Sequence, residues 1–198
     1  MSQPISSEHS WMELIRSRDE GAIKQLIDRF QGRVRNTVLT LVQNQYDAEE
    51  LTQDVFLEVI TSAGHFRGES SLSTWIYRIA VNKSLDHLKK KKRKKRFAFL
   101  SSLWDTSGHP GIDIPDFIHP GVLLERQEES VFFFKALDQL PENQRTAVVL
   151  ALVEGLSYEE IGQVMKTSVS SVESLIFRGR QNLKKILSNY YGRTASKK

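Results

Sequence analysis

The chain has 198 residues, 39% of them hydrophobic, and a formal net charge of +4, which predicts a soluble protein of one large or two small domains. It contains no cysteine, so disulfides, thiol catalysis and zinc-finger ligation are excluded. The longest apolar run, residues 147–153, is far shorter than the ~20 residues that cross a bilayer. The N-terminus lacks the basic start and apolar stretch of a signal peptide. We therefore expect a cytoplasmic protein that does not insert into membranes.

The first 96 residues carry helical patterns almost throughout. Ser10 and Glu13 have the spacing of a capping box, which predicts the start of a short helix. An apolar stripe from Ile23 to Leu41 then predicts one amphipathic helix over residues ~20–43. No alternating apolar pattern of a strand intervenes, so we expect this part of the chain to be wholly helical.

The next predicted helix has an acidic face. Asp47 and Glu50 are expected to open it, and apolar residues follow on one side. The other side presents a set of residues that we call the acidic strip: Glu49, Glu50, Gln53, Asp54 and Glu58. Such a strip is usually only solvated, so the residues alone assign it no partner.

A polar turn over residues 66–73 leads into a helix that runs to a lysine cluster. Its inward face is Tyr77, Ala80, Val81, Leu85 and Leu88, and its other face is Trp75, Ile79, Asn82, Lys83, Asp86 and Lys89. An aromatic ring, an amide and cations on one face suit single-stranded or melted DNA, through stacking, base-edge hydrogen bonds and backbone charge. For Trp75, stacking on a base and packing in the core are equally open. For Asn82 and the lysines, DNA contact is favoured.

Charge and composition divide the chain into a basic-ended N-terminal part, an acidic middle and a mildly basic C-terminal part. Residues 89–96 are eight consecutive cations, without which the net charge would be −4. Residues 97–128 contain five acids against the single cation Arg126, and glycine and proline are dense between residues 101 and 121. This composition predicts a linker. His109 and His119 lie in it without the companions that a metal site would need.

The C-terminal part predicts a helix-turn-helix. Ser157 with Glu160, and Ser170 with Glu173, have capping-box spacing on either side of a short turn at residues 166–168. In the second helix, Val172, Ile176, Gly179, Leu183 and Ile186 are expected to face the first helix. The opposite face is Ser170, Ser174, Phe177, Arg178, Gln181, Lys184 and Lys185. Hydroxyls and cations without a carboxylate suit phosphates and base edges, and an exposed phenylalanine needs a partner.

Several segments resemble the extracytoplasmic-function (ECF) sigma factors of bacterial RNA polymerase. Residues 66–71 (FRGESS) and 74–82 (TWIYRIAVN) resemble conserved region 2, and residues 47–56 (DAEELTQDVF) resemble the helix that binds core polymerase. Residues 140–145 (LPENQR) and 155–161 (GLSYEEI) resemble region 4. The resemblance covers nearly the whole chain outside the linker and the ends.

The resemblance implies an all-α fold of two small helical domains. They are a region 2 bundle over residues 1–96 and a region 4 helix-turn-helix over residues 129–198, joined by the acidic linker at 97–128. The implied function is to bind core RNA polymerase and direct promoter recognition and transcription initiation. The implied partners are core RNA polymerase, promoter DNA and an anti-sigma factor. No cofactor, metal or catalytic residue is implied.

The resemblance also implies roles for individual residues. Core polymerase would bind the residues Asp47, Glu49, Glu50, Gln53 and Asp54. The −10 element would be opened and read by Phe66, Ser70, Trp75, Tyr77, Arg78, Asn82, Asp86, Lys89 and Lys90, with a flipped base received by the turn at 66–73. The −35 element would be read by Ser170, Ser171, Ser174, Phe177, Arg178, Gln181 and Lys185.

Two other classes of protein are alternatives. An ordinary helix-turn-helix regulator with a basic arm would explain residues 129–198, but would leave the helix from Trp75 to Asn82 unexplained. A nucleic-acid enzyme such as a nuclease would need a cluster of carboxylates or histidines. The carboxylates here are expected on helix exteriors, and the five histidines are scattered, so a nuclease is disfavoured.

Overall fold

The computed structural model describes residues 8–102 and 127–195, with side chains at 8–94 and 132–189. Within these ranges the chain forms α-helices and one 3₁₀ turn at Ala63–His65, and no strand. The helices are α1 (Glu8–Arg16), α2 (Glu20–Val42), α3 (Gln45–Thr61), α4 (Leu72–Ser102), α5 (Gln127–Asp138), α6 (Glu142–Leu152), α7 (Tyr158–Met165) and α8 (Val169–Ala195). The predicted all-α class is confirmed.

The N-terminal domain comprises α1 to α4, packed around the apolar stripe of α2. Members of that stripe are fully or nearly fully buried with residues of α3 and α4: Leu26, Phe30, Val34, Val38, Val55, Val59 and Ile76. Each such side chain contributes about 1.5–3 kcal/mol relative to its exposed state. Helix α2 begins where Asp19 accepts the backbone N–H of Ala22 at 2.7 Å, and ends at Gln43 in the left-handed conformation. The predicted long amphipathic helix is therefore confirmed.

Two helix starts in this domain differ from the predictions. Helix α1 begins at Glu8, so Ser10 lies inside the first turn rather than at a cap. Helix α3 begins at Gln45, because the side chain of Asn44 accepts the backbone N–H of Asp47 at 2.9 Å. An asparagine in extended backbone is a strong cap, and it precedes the acids that were expected to open the helix.

The C-terminal domain comprises α5 to α8 and contains the predicted helix-turn-helix. The capping box at α7 is confirmed: Ser157 Oγ accepts the Glu160 N–H at 3.2 Å, and Glu160 accepts the Ser157 N–H at 2.8 Å. The second predicted box is wrong. Helix α8 begins at Val169, and Ser168 Oγ accepts the N–H of Ser171 at 3.3 Å. Serine at 168 offers the earlier cap, which places Glu173 inside the helix.

Helix α8 packs against α7, as expected for its apolar face, and also against α6. The closest approach is at Gly179, where an added Cβ would lie 2.6 Å from Val148 Cγ2 and 3.3 Å from the Gln144 carbonyl oxygen. Only glycine leaves room for α6 at this distance from the α8 backbone.

The expected domain boundaries, after residue 96 and before residue 129, stay predictions. Helix α4 continues to Ser102, beyond the expected boundary at residue 96, and no glycine or proline interrupts the chain before Gly108. Helix α5 begins at Gln127. The Gly/Pro segment of the predicted linker, with His109 and His119, lies outside the described residues.

The two domains are in direct contact. Helix α4 packs against α7, and α2 packs against α6. The core of the C-terminal domain includes three buried residues of the N-terminal domain: Leu41, Tyr77 and Val81. The structure therefore shows a closed arrangement of the two halves.

A search of the described part of the chain finds no helix long and apolar enough to cross a membrane. Over residues 8–102 and 127–195, no group of three or more histidine, aspartate or glutamate side chains is placed to hold a metal ion.

Candidate nucleic-acid interface

A small pocket lies where the turn after α3 meets α4. Its volume is about 240 Å³, and its lining is His65, Phe66, Arg67, Gly68, Glu69, Ser70, Trp75 and Arg78. Gly68 has φ +70°, a left-handed conformation that shapes the turn at little cost only in glycine. We call this site the turn pocket. It lies in the turn to which the resemblance assigns a flipped base, and that role stays a prediction.

Two aromatic rings form the apolar wall of the turn pocket. Phe66 is buried, and its ring meets that of Trp75 at a centroid distance of 5.5 Å in an edge-on geometry. Trp75 is half-buried, packs on the N-terminal core and also lines the pocket. Trp75 therefore both packs on the core and lines the pocket. Its stacking on a DNA base stays a prediction.

The polar residues predicted to contact the −10 element lie along α4. Asn82, Asp86, Lys89 and Lys90 are exposed, whereas Ser70 and Arg78 are half-buried. Lys89 lies 3.6 Å from Asp86 and 4.0 Å from Glu142 of α6. The exposed members form a continuous polar edge that leads from the turn pocket towards the lysine cluster.

Tyr77 and Arg78 are engaged with the C-terminal domain. Tyr77 is only 1% exposed, and its hydroxyl donates to Glu154 at 2.7 Å. Burial, with the hydrogen bond and charge of Glu154, raises the pKa of Tyr77 above its ordinary value. The Arg78 Nε–H donates to the backbone oxygen of Gln163 at 3.0 Å. In this arrangement Tyr77 does not line the turn pocket.

The residues predicted to bind polymerase divide into two groups. Glu49, Glu50, Gln53 and Asp54 are exposed on α3. Asp47 is half-buried and tied to α4, because its carboxylate accepts from Lys91 Nζ at 2.9 Å and lies 3.1 Å from His87 Nε2.

The ion pairs at Asp47 change its acidity. Burial raises the pKa of this carboxyl, but the hydrogen bond and charge of Lys91, followed by those of His87, outweigh burial. The pKa of Asp47 therefore lies below its ordinary 3.8. The carboxylate holds α4 against α3 in addition to any role towards polymerase.

Sequence reasoning missed two apolar residues beside the acidic strip. Tyr46 and Leu57 are 85% and 61% exposed on α3. Positions 46, 50, 53 and 57 follow helical spacing and share one face. That spacing could have shown that the strip is flanked by apolar side chains, which need a partner more than a purely charged face does.

The predicted reading face of α8 is exposed. Ser170, Ser174, Phe177, Arg178, Gln181 and Lys185 are exposed, and Ser171 is half-buried beside Ser168. Phe177 is 63% exposed. Part of this face lines a groove of about 680 Å³, which we call the α8 groove, with further residues that were not predicted: Tyr158, Glu173, Ile176, Arg180 and Ser188.

Glu173 corrects the expectation that this face has no carboxylate. It is exposed and lines the α8 groove among four residues with positive or amide groups: Arg180, Gln181, Lys184 and Lys185. The groove therefore combines cations for phosphate with one acceptor that can pair with the amino group of cytosine.

Glu154, in the turn after α6, is a further functional candidate that sequence reasoning missed. Its side chain is 4% exposed and faces the N-terminal domain. It is a single acid between Val153 and Gly155, and its partners lie 77 to 121 residues away in sequence. No local pattern marks such a residue.

Comparisons with known proteins match both domains. The family description "Sigma-70 region 2" matches residues 26–94. The family description "Sigma-70, region 4" matches residues 133–183. The RNA polymerase sigma-H factor of Pseudomonas aeruginosa is 31% identical over 89% of this chain and 91% of its own length. The chain is an ECF sigma factor of the sigma-70 family. The ECF RNA polymerase sigma-E factor of Escherichia coli K12 is likewise 31% identical, over 86% of this chain and 88% of its own length.

Two solved structures share the fold of this sigma factor. CnrH in complex with the cytosolic domain of CnrY has a TM-score of 0.66 at 20% identity, over 92% of this chain and 97% of that one. The sigma factor RpoE of Bartonella quintana in complex with the anti-sigma factor NepR has a TM-score of 0.64 at 24% identity, over 83% of this chain and 96% of that one. The predicted pair of helical domains, sigma region 2 and sigma region 4, is confirmed.

Proposed function

We propose that this sigma factor binds core RNA polymerase through α3 and reads promoter DNA through α4 and α8. Family membership carries the general function, which is to direct transcription initiation with core polymerase. The observation that best supports the division of roles is the separation of three exposed surfaces with different chemistry. They are the acidic strip, the turn pocket with its polar edge on α4, and the cationic α8 groove.

The −10 and −35 roles rest on different physical features. The turn pocket has an aromatic wall, and the exposed amide and lysine side chains follow it along α4, outside its lining. This arrangement suits an unstacked base in the pocket and its backbone along the helix. The α8 groove lies along a helix whose exposed side chains suit the major groove of a duplex. The residue roles given in the sequence analysis are part of this proposal, with Tyr77 reaching DNA only if the domains separate.

The proposal includes an anti-sigma factor, a cytoplasmic location and the absence of enzymatic activity. The Bartonella quintana RpoE is described in complex with the anti-sigma factor NepR, and CnrH in complex with the cytosolic domain of CnrY. The fold of both proteins is shared by this chain. Core polymerase and promoter DNA, the partners of a sigma factor, are in the cytoplasm. An ordinary helix-turn-helix regulator is not favoured, because region 2 matches over residues 26–94.

Run-off transcription tests the proposed function. The full chain is combined with purified core polymerase of its host and a library of genomic promoter fragments. We expect transcripts from a subset of fragments that share −35 and −10 sequences, and no transcripts when the chain is omitted. Binding of the chain to specific DNA without polymerase, together with no transcripts, would instead identify an ordinary regulator.

A further inference from the structure

A buried carboxylate lies at the junction between the two domains. Glu154 of the C-terminal domain accepts a hydrogen bond from Thr37 Oγ1 at 2.6 Å and one from the Tyr77 hydroxyl at 2.7 Å. Arg33 Nε lies 3.8 Å from the same carboxylate, and its guanidinium stacks over the Tyr77 ring at 5.6 Å. All three partners belong to the N-terminal domain, so these contacts exist only while the domains are together. We call this cluster the Glu154 junction.

Two further hydrogen bonds cross the junction, and one of them involves a proposed DNA-binding residue. Arg78, which lines the turn pocket, donates to the Gln163 carbonyl of α7, the first helix of the helix-turn-helix. Gln43 Nε2 donates to the Phe134 carbonyl at 2.8 Å in a buried position. The closed arrangement therefore holds the helix proposed to read the −10 element against the unit proposed to read the −35 element.

The geometry of a promoter conflicts with this arrangement. Elements at −35 and −10 are about 25 base pairs apart, which is about 85 Å of duplex at about 3.4 Å per pair. In the structure α8 packs on α7, and α7 packs on α4. Helices in contact have axes about 8–10 Å apart, so α4 and α8 are separated by about 20 Å. The closed protein can occupy one element, but not both.

The chain between the domains is long enough to permit separation. Ser102 and Gln127 are joined by 24 residues, which can span at most about 80 Å. The long axes of α4 and α8 add to this reach. Opening therefore requires the loss of contacts at the junction, but no unfolding of either domain.

We propose that Glu154 is a latch that holds the sigma factor closed, and that promoter recognition requires its release. This inference rests on the proposed function, since it assumes that α4 and α8 read two separate elements. The latch sets the fraction of molecules that is competent to span a promoter, and the apparent affinity falls with that fraction. On this proposal, binding of an anti-sigma factor or of polymerase shifts the equilibrium between the closed and open arrangements of the two domains.

The distance between the domains tests the latch without DNA or polymerase. Spin labels are placed on the full chain at Lys24→Cys of α2 and Gln139→Cys after α5, both exposed positions in a protein with no native cysteine. We expect one narrow distance distribution for the parent protein. Glu154→Ala should give a broader and longer distribution, and Thr37→Val a smaller shift in the same direction. An unchanged distribution in Glu154→Ala would overturn the proposal.

Matched variants separate release of the latch from loss of fold. Glu159→Gln removes an exposed carboxylate of α7 in the same domain and should leave the distance unchanged. Thr37→Val combined with Glu154→Ala should open the protein no further than Glu154→Ala alone, because both changes break one cluster. Thermal melts confirm folding of every variant. Additive opening would show that the two residues act separately and would count against the latch.

Assembly of the promoter complex tests the functional consequence. We expect Glu154→Ala to lower about tenfold the concentration of chain that half-saturates a promoter in the presence of core polymerase. Opening without any change in this concentration would overturn the claim that release limits recognition. If the parent chain with polymerase gave no promoter complex at all, the proposed function would fail, and the distance measurement would still report on closure.

Discussion

Phe66 and Trp75 meet edge-on, at a centroid distance of 5.5 Å, where the turn after α3 joins α4. The pair closes the N-terminal core on one side and forms the wall of the turn pocket on the other. One aromatic contact therefore serves both the stability of the domain and the shape of the proposed base receptor.

Replacing Trp75 should affect both properties, whereas replacing Asn82 should affect only one. Trp75→Ala removes a half-buried ring from the core and should lower the free energy of unfolding by about 2–3 kcal/mol, below the cost at a fully buried site. Asn82→Ala changes an exposed side chain and should leave stability within about 0.5 kcal/mol. Both should impair promoter opening, measured by permanganate reactivity of thymines around −10 in the holoenzyme. Normal opening with Asn82→Ala would place the base receptor elsewhere.

The acidic strip can be tested by charge reversal. Glu50→Lys with Asp54→Lys changes two exposed carboxylates and should weaken binding to core polymerase by at least tenfold, with no change in melting temperature. Asp47→Lys should also lower the melting temperature, because it places a cation beside Lys91 and His87. Titration of labelled core polymerase and thermal melts distinguish the two cases. Unchanged affinity of the double variant would remove α3 from the polymerase interface.

Asp47 should make stability depend on acid pH. Its folded pKa lies below the ordinary 3.8, so its contribution is present in full at pH values well above 3.8. The contribution is lost as the pH falls through the folded pKa. Asp47→Asn should cost about 1 kcal/mol at pH 7, and the difference from the parent should shrink steadily below pH 4. Urea unfolding from pH 7 to pH 3 measures this difference; a constant difference would show that the ion pairs contribute nothing.

The α8 face should divide into residues that bind phosphate and residues that discriminate sequence. Arg178→Ala and Lys185→Ala should each reduce by about 0.9 the slope of log affinity against log salt for promoter binding by the holoenzyme. Phe177→Ala should leave that slope unchanged and alter the preferred −35 sequence. Competition between promoter variants at several salt concentrations gives both quantities. An equal loss on every sequence for Phe177→Ala would assign Phe177 to packing.

Gly179 should tolerate no side chain. An added Cβ would lie 2.6 Å from Val148 Cγ2, so Gly179→Ala should destabilise the protein by about 1–3 kcal/mol through overpacking against α6. Gly32 in α2 is the matched control, because a Cβ there meets nothing within 4 Å. Gly32→Ala should stabilise the helix by about 0.5–1 kcal/mol. Denaturant unfolding measures both, and equal effects would contradict the close approach of α6 and α8.

Local patterns predicted the helices well and the contacts between domains poorly. The stripe from Ile23 to Leu41 and the box at Ser157 and Glu160 act within one helix, so the sequence contains all of the information that they use. Asn44 and Ser168 were missed as caps because nearby residues offered competing caps, and only the backbone path decides between them.

Long-range partners were beyond the reach of sequence reasoning. Tyr77 was expected on the inward face of α4, but its hydrogen-bond partner Glu154 lies 77 residues further along the chain. The hydrogen bond from Lys91 to Asp47 joins α4 to α3, and no pattern within either helix predicts it. Helical periodicity reports the face of one helix and not what packs on it, so these partners could not be predicted from the sequence.

When the domains close, the polar groups of the Glu154 junction exchange hydrogen bonds to water for hydrogen bonds to one another. Separating the domains returns one carboxylate and two hydroxyls to water, which replaces their hydrogen bonds, so the net contribution of each bond is only about 0.5–1.5 kcal/mol. The apolar surface of Leu41 and Val81 is exposed in the same step. Solutes that are excluded from protein surfaces strengthen burial. If the domains open as proposed, we expect excluded solutes to favour the closed arrangement, without any change in the sequence or the partners of the protein.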